Sequence, residues 1–253
     1  MMKMPTELVD LRNEHHIKLE TFWRTCSLRD LAIHMCLHSR HVGFVKDALG
    51  AIYSRCHNPL VKEYVLENLA EEAGKQSPDG PPEDHGNMIN AFCADQGLDM
   101  RVGDGGSTIV TQFDKIKKEW FSAGWHARGL HYRSVAEREQ FDTVFAHFWI
   151  QESQLVELNE EVLIPKLLES GYDRDDPKIR WFTSHGRNDI EHSQKWVKLY
   201  HLYANGETVR QSGRTGHCTY SVCKTGLELR IASIRELEHY LKNITKSQYM
   251  LIG

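Results

Sequence analysis

From Asp176-Pro177 to Tyr203 the chain places Trp181, His185, Asn188, Asp189, His192 and Trp196 at spacings of three and four. Only an α-helix brings that spacing to one face, so the stretch fixes both the type of element and its orientation. Two tryptophans on the stripe mark it as a side turned inward. An inward side that also carries two imidazoles and a carboxylate is costly to bury without compensation, and a metal ion supplies it. The plain alternative is a polar helix face in solvent. Asp176-Pro177 is a capping residue followed by proline in the first turn, as at a helix start.

Helical periods also run through Ser27 to Ala51, Pro59 to Ala73, His85 to Gln96, Thr108 to Phe121, Val135 to Ser170 and Leu227 to Ile244. Asn58-Pro59 repeats the cap-then-proline start, and Gly74 is placed to stop the helix before it. The connections are turn-rich: Lys75 to Asp84, Gly103 to Ser107 and Asn205 to Gly226. Within the last, alternating Thr219-Tyr220-Ser221-Val222 reads as a short hairpin or a lid loop. There is no internal repeat and no boundary signal. The expected fold is an all-α bundle of about seven helices in one domain, residues 1–253, with a variable loop at 205–226.

Composition narrows the function classes. The 253 residues are 40% hydrophobic, enough for a substantial core, and the net charge is −4. No long basic run points to nucleic acid or an anionic membrane surface, so neither is an expected partner. No stretch approaches the length of an apolar membrane span, and the N-terminus lacks a signal-peptide core, which together suggest a cytoplasmic protein. The six cysteines are scattered, and Cys218 and Cys223 lack zinc-ligand spacing, so reduced thiols are expected. Fifteen histidines hint at metal chemistry.

Further helices carry acids where apolar residues belong. In Pro59 to Ala73 the inward stripe runs Val61, Val65, Asn68, Glu72. A helix end and the start of its antiparallel partner lie close together, which would bring Glu72 to His85. In Val135 to Ser170 the stripe Phe145, Phe148, Trp149, Glu152, Leu155, Val156 sets one carboxylate among large apolar groups. A lone Glu there would be neutral or paired. Taken singly, each is a rim acid in a salt bridge. Taken jointly, inward acids and histidines on several helices match the inventory of a two-iron carboxylate site in a bundle.

The succession Asn68-Leu69-Ala70-Glu71-Glu72-Ala73-Gly74, His85, Gln151-Glu152-Ser153-Gln154 and His185-x3-Asp189-x2-His192 resembles the signatures of the haem-oxygenase-like diiron oxidases and oxygenases. That fold also includes the PQQ-synthesis oxidase and TenA-type thiaminases. The resemblance spans Leu31 to Tyr203, and Leu227 to Ile244 is similar to the family's last helix. It implies iron ligation by Glu72, His85, Glu152, Asp189 and His192, with His185 as the additional ligand of some members. Glu72 and Glu152 are the catalytic candidates, balancing charge beside the metals.

One departure stands out. Where the family has a Glu in its first core helix, this chain reads His38-Ser39-Arg40-His41-Val42-Gly43-Phe44, with Gly43 at the ligand position. Asp47, His38 and His41 are the possible replacements. The implied cofactor is Fe(II), two ions per chain with the second weakly held, and O2 is the implied co-substrate. The implied reaction is oxidation of a small molecule, by preference an amino acid or amine-like metabolite, through N-oxygenation, desaturation, oxidative rearrangement or C–C cleavage. Arg187, Arg210, Arg214 and Lys224 are the cations available to grip a carboxylate, and Trp149, Trp181 and Trp196 are expected to wall the cavity. A metal-free oxidase of the PQQ-synthesis type and a non-enzymatic helical interaction module are the rival readings. A homodimer is open to the chain.

Overall fold

A computed structural model describes residues 3–74, 85–98, 102–103, 106–107, 121–204 and 218–243. The elements are α1 (Thr6–Thr25), α2 (Leu28–Arg55), α3 (Pro59–Glu72), α4 (His85–Asp95), β1 (Val102–Gly103), β2 (Gly106–Ser107), α5 (Phe121–Arg138), α6 (Phe141–Leu158), α7 (Ile164–Glu169), α8 (Arg180–Tyr203) and α9 (Thr219–Asn243). The two-residue strands pair antiparallel, Val102 opposite Ser107, and the fold is otherwise all-α. No helix among the described residues is long and apolar enough to cross a membrane.

Local chemistry sets the boundaries. Ser27 and Asp30 form a reciprocal capping box at the start of α2. Asn58 caps the Leu60 amide with Pro59 in the first turn, and Gly74 follows α3 at φ +72°, a left-handed stop that glycine adopts freely. Asp176 caps a 3-10 turn, Pro177–Ile179, that leads directly into α8. Pro165 lies inside the continuous helical run from α6 to α7 and has no N–H to give. Just before it the backbone widens into a π-turn, Asn159–Leu163, with Ile164 N–H bonded to Asn159 O.

The sequence expectations need several corrections. Helix α1 was not anticipated; its Leu8, Leu11, Leu19, Phe22 and Trp23 are buried, but Arg12, His15 and His16 share the buried side and blur the periodicity. The run Val135 to Ser170 breaks at Glu139-Gln140, so Val135 lies in the last turn of α5 and Phe141 starts α6. Thr219 to Val222 forms the first turn of α9, not a hairpin. Of the expected Thr108 to Phe121 helix, only Phe121 is described, as the first residue of α5; 108–120 and loop residues 205–217 lie outside the described residues.

The apolar interior forms two clusters. One joins Trp23, Ile33, Phe92, Leu163, Phe182 and Leu237; the other joins Leu8, Ile52, Val65, Phe145, Phe148 and Trp196. Buried polar residues His34, His38, His41, Arg128, Gln151, Asp189, His192 and Arg230 are contributed by α2, α5, α6, α8 and α9. Helices α2 and α5 approach closely at Gly129, where a Cβ would stand 2.2 Å from the Phe44 ring.

Candidate metal centre

The predicted donors come to one place. Glu72 from α3, His85 from α4, Glu152 from α6 and His185, Asp189 and His192 from α8 all line a single cleft of about 710 Å³, its open mouth included. Glu71, Asn68, His38, His41, Arg128 and Tyr132 share its walls. The end of α3 and the start of α4 meet here, with Glu72 Oε2 3.0 Å from His85 Nδ1. The His85 and His185 rings stand 4.7 Å apart.

Each donor already has a partner within the protein. His192 Nε2 lies 3.0 Å from Glu71 Oε2, and its Nδ1 lies 3.7 Å from Asp189 Oδ1. Trp196 Nε1 donates to Glu152 Oε2 at 2.6 Å. His185 Nδ1 faces the Trp181 carbonyl at 2.8 Å; a carbonyl only accepts, so the proton sits on Nδ1 and Nε2 keeps its lone pair. With the side chains paired in this way, no three His, Cys, Asp or Glu among the described residues stand converged as a ready-made metal site.

The electrostatics reflect four acids in one buried place. Burial pushes the Glu152 carboxyl up to about 8; Asp189 and Glu72 add to the rise, and His192 and Trp196 oppose it. His192 moves to about 11, because hydrogen bonds to Asp189 and Glu71 outweigh the burial that pulls it down. Glu72 is lowered and His85 raised, each against its burial, through their mutual pair. Burial lowers His185. At neutral pH, therefore, Glu152 and His192 carry protons among carboxylates. Buried Asp189 Oδ2 has no hydrogen-bond partner among the described residues. An orphan carboxylate oxygen, imidazoles and hard carboxylates form a donor set suited to iron, with protons standing where cations would.

Several expectations resolve differently. Gly43 is exposed, and a Cβ there would meet nothing within 4 Å. Asp47 is also exposed and lies 3.5 Å from Arg133, so it does not replace the missing acid. His38 and His41 do reach the cleft. Of the three tryptophans, Trp196 holds Glu152 and Trp181 packs on His185 at 4.2 Å, whereas Trp149 belongs to the apolar core. Arg187 is exposed, Lys224 pairs with Glu228, and Arg210 and Arg214 lie outside the described residues. All six cysteines are free thiols, as expected.

Sequence reasoning missed Glu71 and Arg128. Glu71 stands three residues after buried Asn68, at the edge of the stripe that Glu72 ends. Arg128 sits on a stripe of α5, Trp125, Arg128, Tyr132, Val135, at helical spacing; Gly124, Gly129 and interspersed His and Arg mask it in the sequence.

A family model described as an iron-containing redox enzyme matches residues 29–216. The chain belongs to this haem-oxygenase-like family. Membership carries an oxidoreductase-type function and accounts for the all-α bundle. The matched stretch takes in every predicted donor and leaves α1 and α9 outside it. No curated protein gives a significant match to the chain.

Proposed function

We propose that this protein is an O2-dependent non-haem diiron oxidase or oxygenase acting on a small molecule, an amino acid or amine-like metabolite. The observation that carries the reading is the convergence of Glu72, His85, Glu152, His185, Asp189 and His192, from four helices, on one cleft in which Asp189 Oδ2 is buried and unpartnered among the described residues. These residues would hold the iron, with Glu71 in reach through His192. The chemistry that a bound Fe(II) pair supplies is reductive activation of O2.

The protein's own contribution is placement and proton control. Trp196 fixes one Glu152 oxygen, and Trp181 fixes the tautomer of His185 so that Nε2 is available as a donor. His85 and His192 hold protons against Glu72, Glu71 and Asp189, and Glu152 holds one of its own; dications entering the cleft would displace them, making metal uptake proton-coupled. Lowered His38 and His41 add neutral imidazole to the wall without adding charge.

The internal pairing of the donors is the observation that favours the metal-free alternative, an oxidase of the PQQ-synthesis type. The existence of an internal polar cleft counts against a purely interacting module. Anaerobic loading with Fe(II), followed by mass-spectrometric and colorimetric iron determination, separates the readings. Uptake approaching two irons per chain with proton release supports the diiron enzyme. A single tight tetrahedral zinc site, or no uptake, would sink it.

A further inference from the structure

Beside the acid-lined cleft lies a second chamber of about 340 Å³, open part included, and His38, Arg128 and Leu155 border both. Its walls hold Arg128 of α5 and Arg230 of α9, which are 5% and 4% exposed. Neither guanidinium has a carboxylate in ion-pair range among the described residues. Arg128 Nη2 donates to Gln151 Oε1 at a long 3.4 Å, and Arg230 Nη1 donates to Gln154 Oε1 at 3.1 Å. Burial holds Arg128 well below the usual guanidinium range, with nearby Arg230 adding to the effect.

The chamber's other polar atoms are equally short of partners. Among the described residues, Arg128 Nε, Trp23 Nε1, Trp181 Nε1 and both amide atoms of fully buried Asn159 have none. Buried donors and charges are normally satisfied, and an unsatisfied group carries its desolvation cost in full. Two uncompensated cations with unspent N–H donors around them describe the imprint of an anion. The guanidinium fork matches a planar carboxylate, and Met35, Leu158, Leu163 and Ile234 surround it with apolar surface suited to a carbon chain.

We propose that this chamber binds the free carboxylate of the substrate between Arg128 and Arg230, with the carbon chain directed past His38 and Leu155 toward the acid-lined cleft. The inference rests on the diiron reading for the chemistry that follows, and it narrows the substrate to an organic acid, amino acids included, and excludes simple amines. Arg230 lies on the last helix, α9, beyond the stretch that the family model matches.

The test uses metal-free full-length protein and a matched set of probes: hexanoate, 2-aminohexanoate, hexylamine and inorganic phosphate. Trp23 and Trp181 line the chamber, so intrinsic fluorescence reports binding locally, and thermal denaturation reports it globally. Both acids should bind, and hexylamine and phosphate should not. Arg230→Met should weaken acid binding by about tenfold to hundredfold, as expected for loss of a charged hydrogen bond, and Arg230→Lys should recover part of it. Without ligand, Arg230→Met should be as stable as the parent or more so, because an apolar isostere removes an uncompensated buried charge.

A ligand-free Arg230→Met protein that is markedly destabilised would mark the arginine as a structural strut and overturn the proposal, as would phosphate or hexylamine binding as well as the acids. Anaerobic iron uptake by the parent and by Arg230→Met is scored separately. Failure there strikes the diiron reading, whereas failure of acid binding strikes only the carboxylate site.

Discussion

Helices α2 and α8 carry ligand-type residues at the same spacing, His34, His38, His41 on one and His185, Asp189, His192 on the other; burial lowers His185 as it does the α2 histidines, and the two sets part at His192. On α2 the imidazoles are buried against Trp23, Trp125, Trp181 and Tyr132, and burial lowers all three well below the usual histidine range. On α8 the middle position is a carboxylate, Glu71 and Glu152 stand opposite, and His192 rises to about 11. Periodicity puts three side chains on a face, but the charge on the neighbouring helices decides whether that face attracts a cation. A histidine stripe without acids is a neutral aromatic wall.

The largest expected effect tests that contrast directly. Asp189→Asn and Glu152→Ala should each abolish iron binding in anaerobic loading, because each removes charge compensation from a dication, whereas His34→Gln should leave iron content unchanged. Equal losses from both helices would erase the distinction.

The next effect is on the pH dependence of the metal-free protein. Glu152 moves from its ordinary 4.5 to about 8, so between those values the folded state binds the extra proton and stability falls as pH rises. Glu152→Gln, which mimics the protonated carboxyl, should flatten the decline between about pH 4.5 and 8 in urea-midpoint measurements. A parallel curve would mean that Glu152 is ionised in the fold.

The α2 histidines give a slope of the opposite sign. Their lowered values mean that the unfolded chain takes up protons first, so stability is full above the ordinary 6.5 and is lost as pH falls below it. His34→Leu should make the acid side of the stability profile shallower and leave the profile above pH 7 little changed. A change confined to alkaline pH would contradict a neutral His34.

The smallest effects concern the position where the family's acid is missing. Asp47→Ala should leave iron binding unchanged, since the carboxylate is exposed and faces Arg133. Gly43→Glu should raise stability by about 0.5–1 kcal/mol through helix propensity alone, with no gain in iron. A rise in iron content would show that the α2 face turns toward the cleft.

Much of the cleft's polar lining was legible because helical spacing leaves a direct trace in sequence. Glu72 ended a buried stripe, Glu152 interrupted one, and His185, Asp189 and His192 defined one. The cap at Asn58 and the stop at Gly74 were likewise local signals. The arginine chamber was not legible, because Arg128 and Arg230 meet only through tertiary packing and each alone reads as a solvated charge. Helix α1 hid for a related reason: its inward side mixes Arg12, His15 and His16 with leucines, and only the surrounding helices make that side interior. Glu71 was overlooked because a helix end lets two successive acids face the same cleft.

The π-turn at Asn159–Leu163 uses one more residue per hydrogen-bonded turn than an α-helix, so everything after it is rotated by about 100° relative to an uninterrupted continuation of α6. Glu152 lies before that change of phase, while Leu163 and Asn159, which face the chamber, lie within it. A single-residue deletion in this turn would therefore redraw the far end of the chamber while leaving the carboxylate on α6 where it stands.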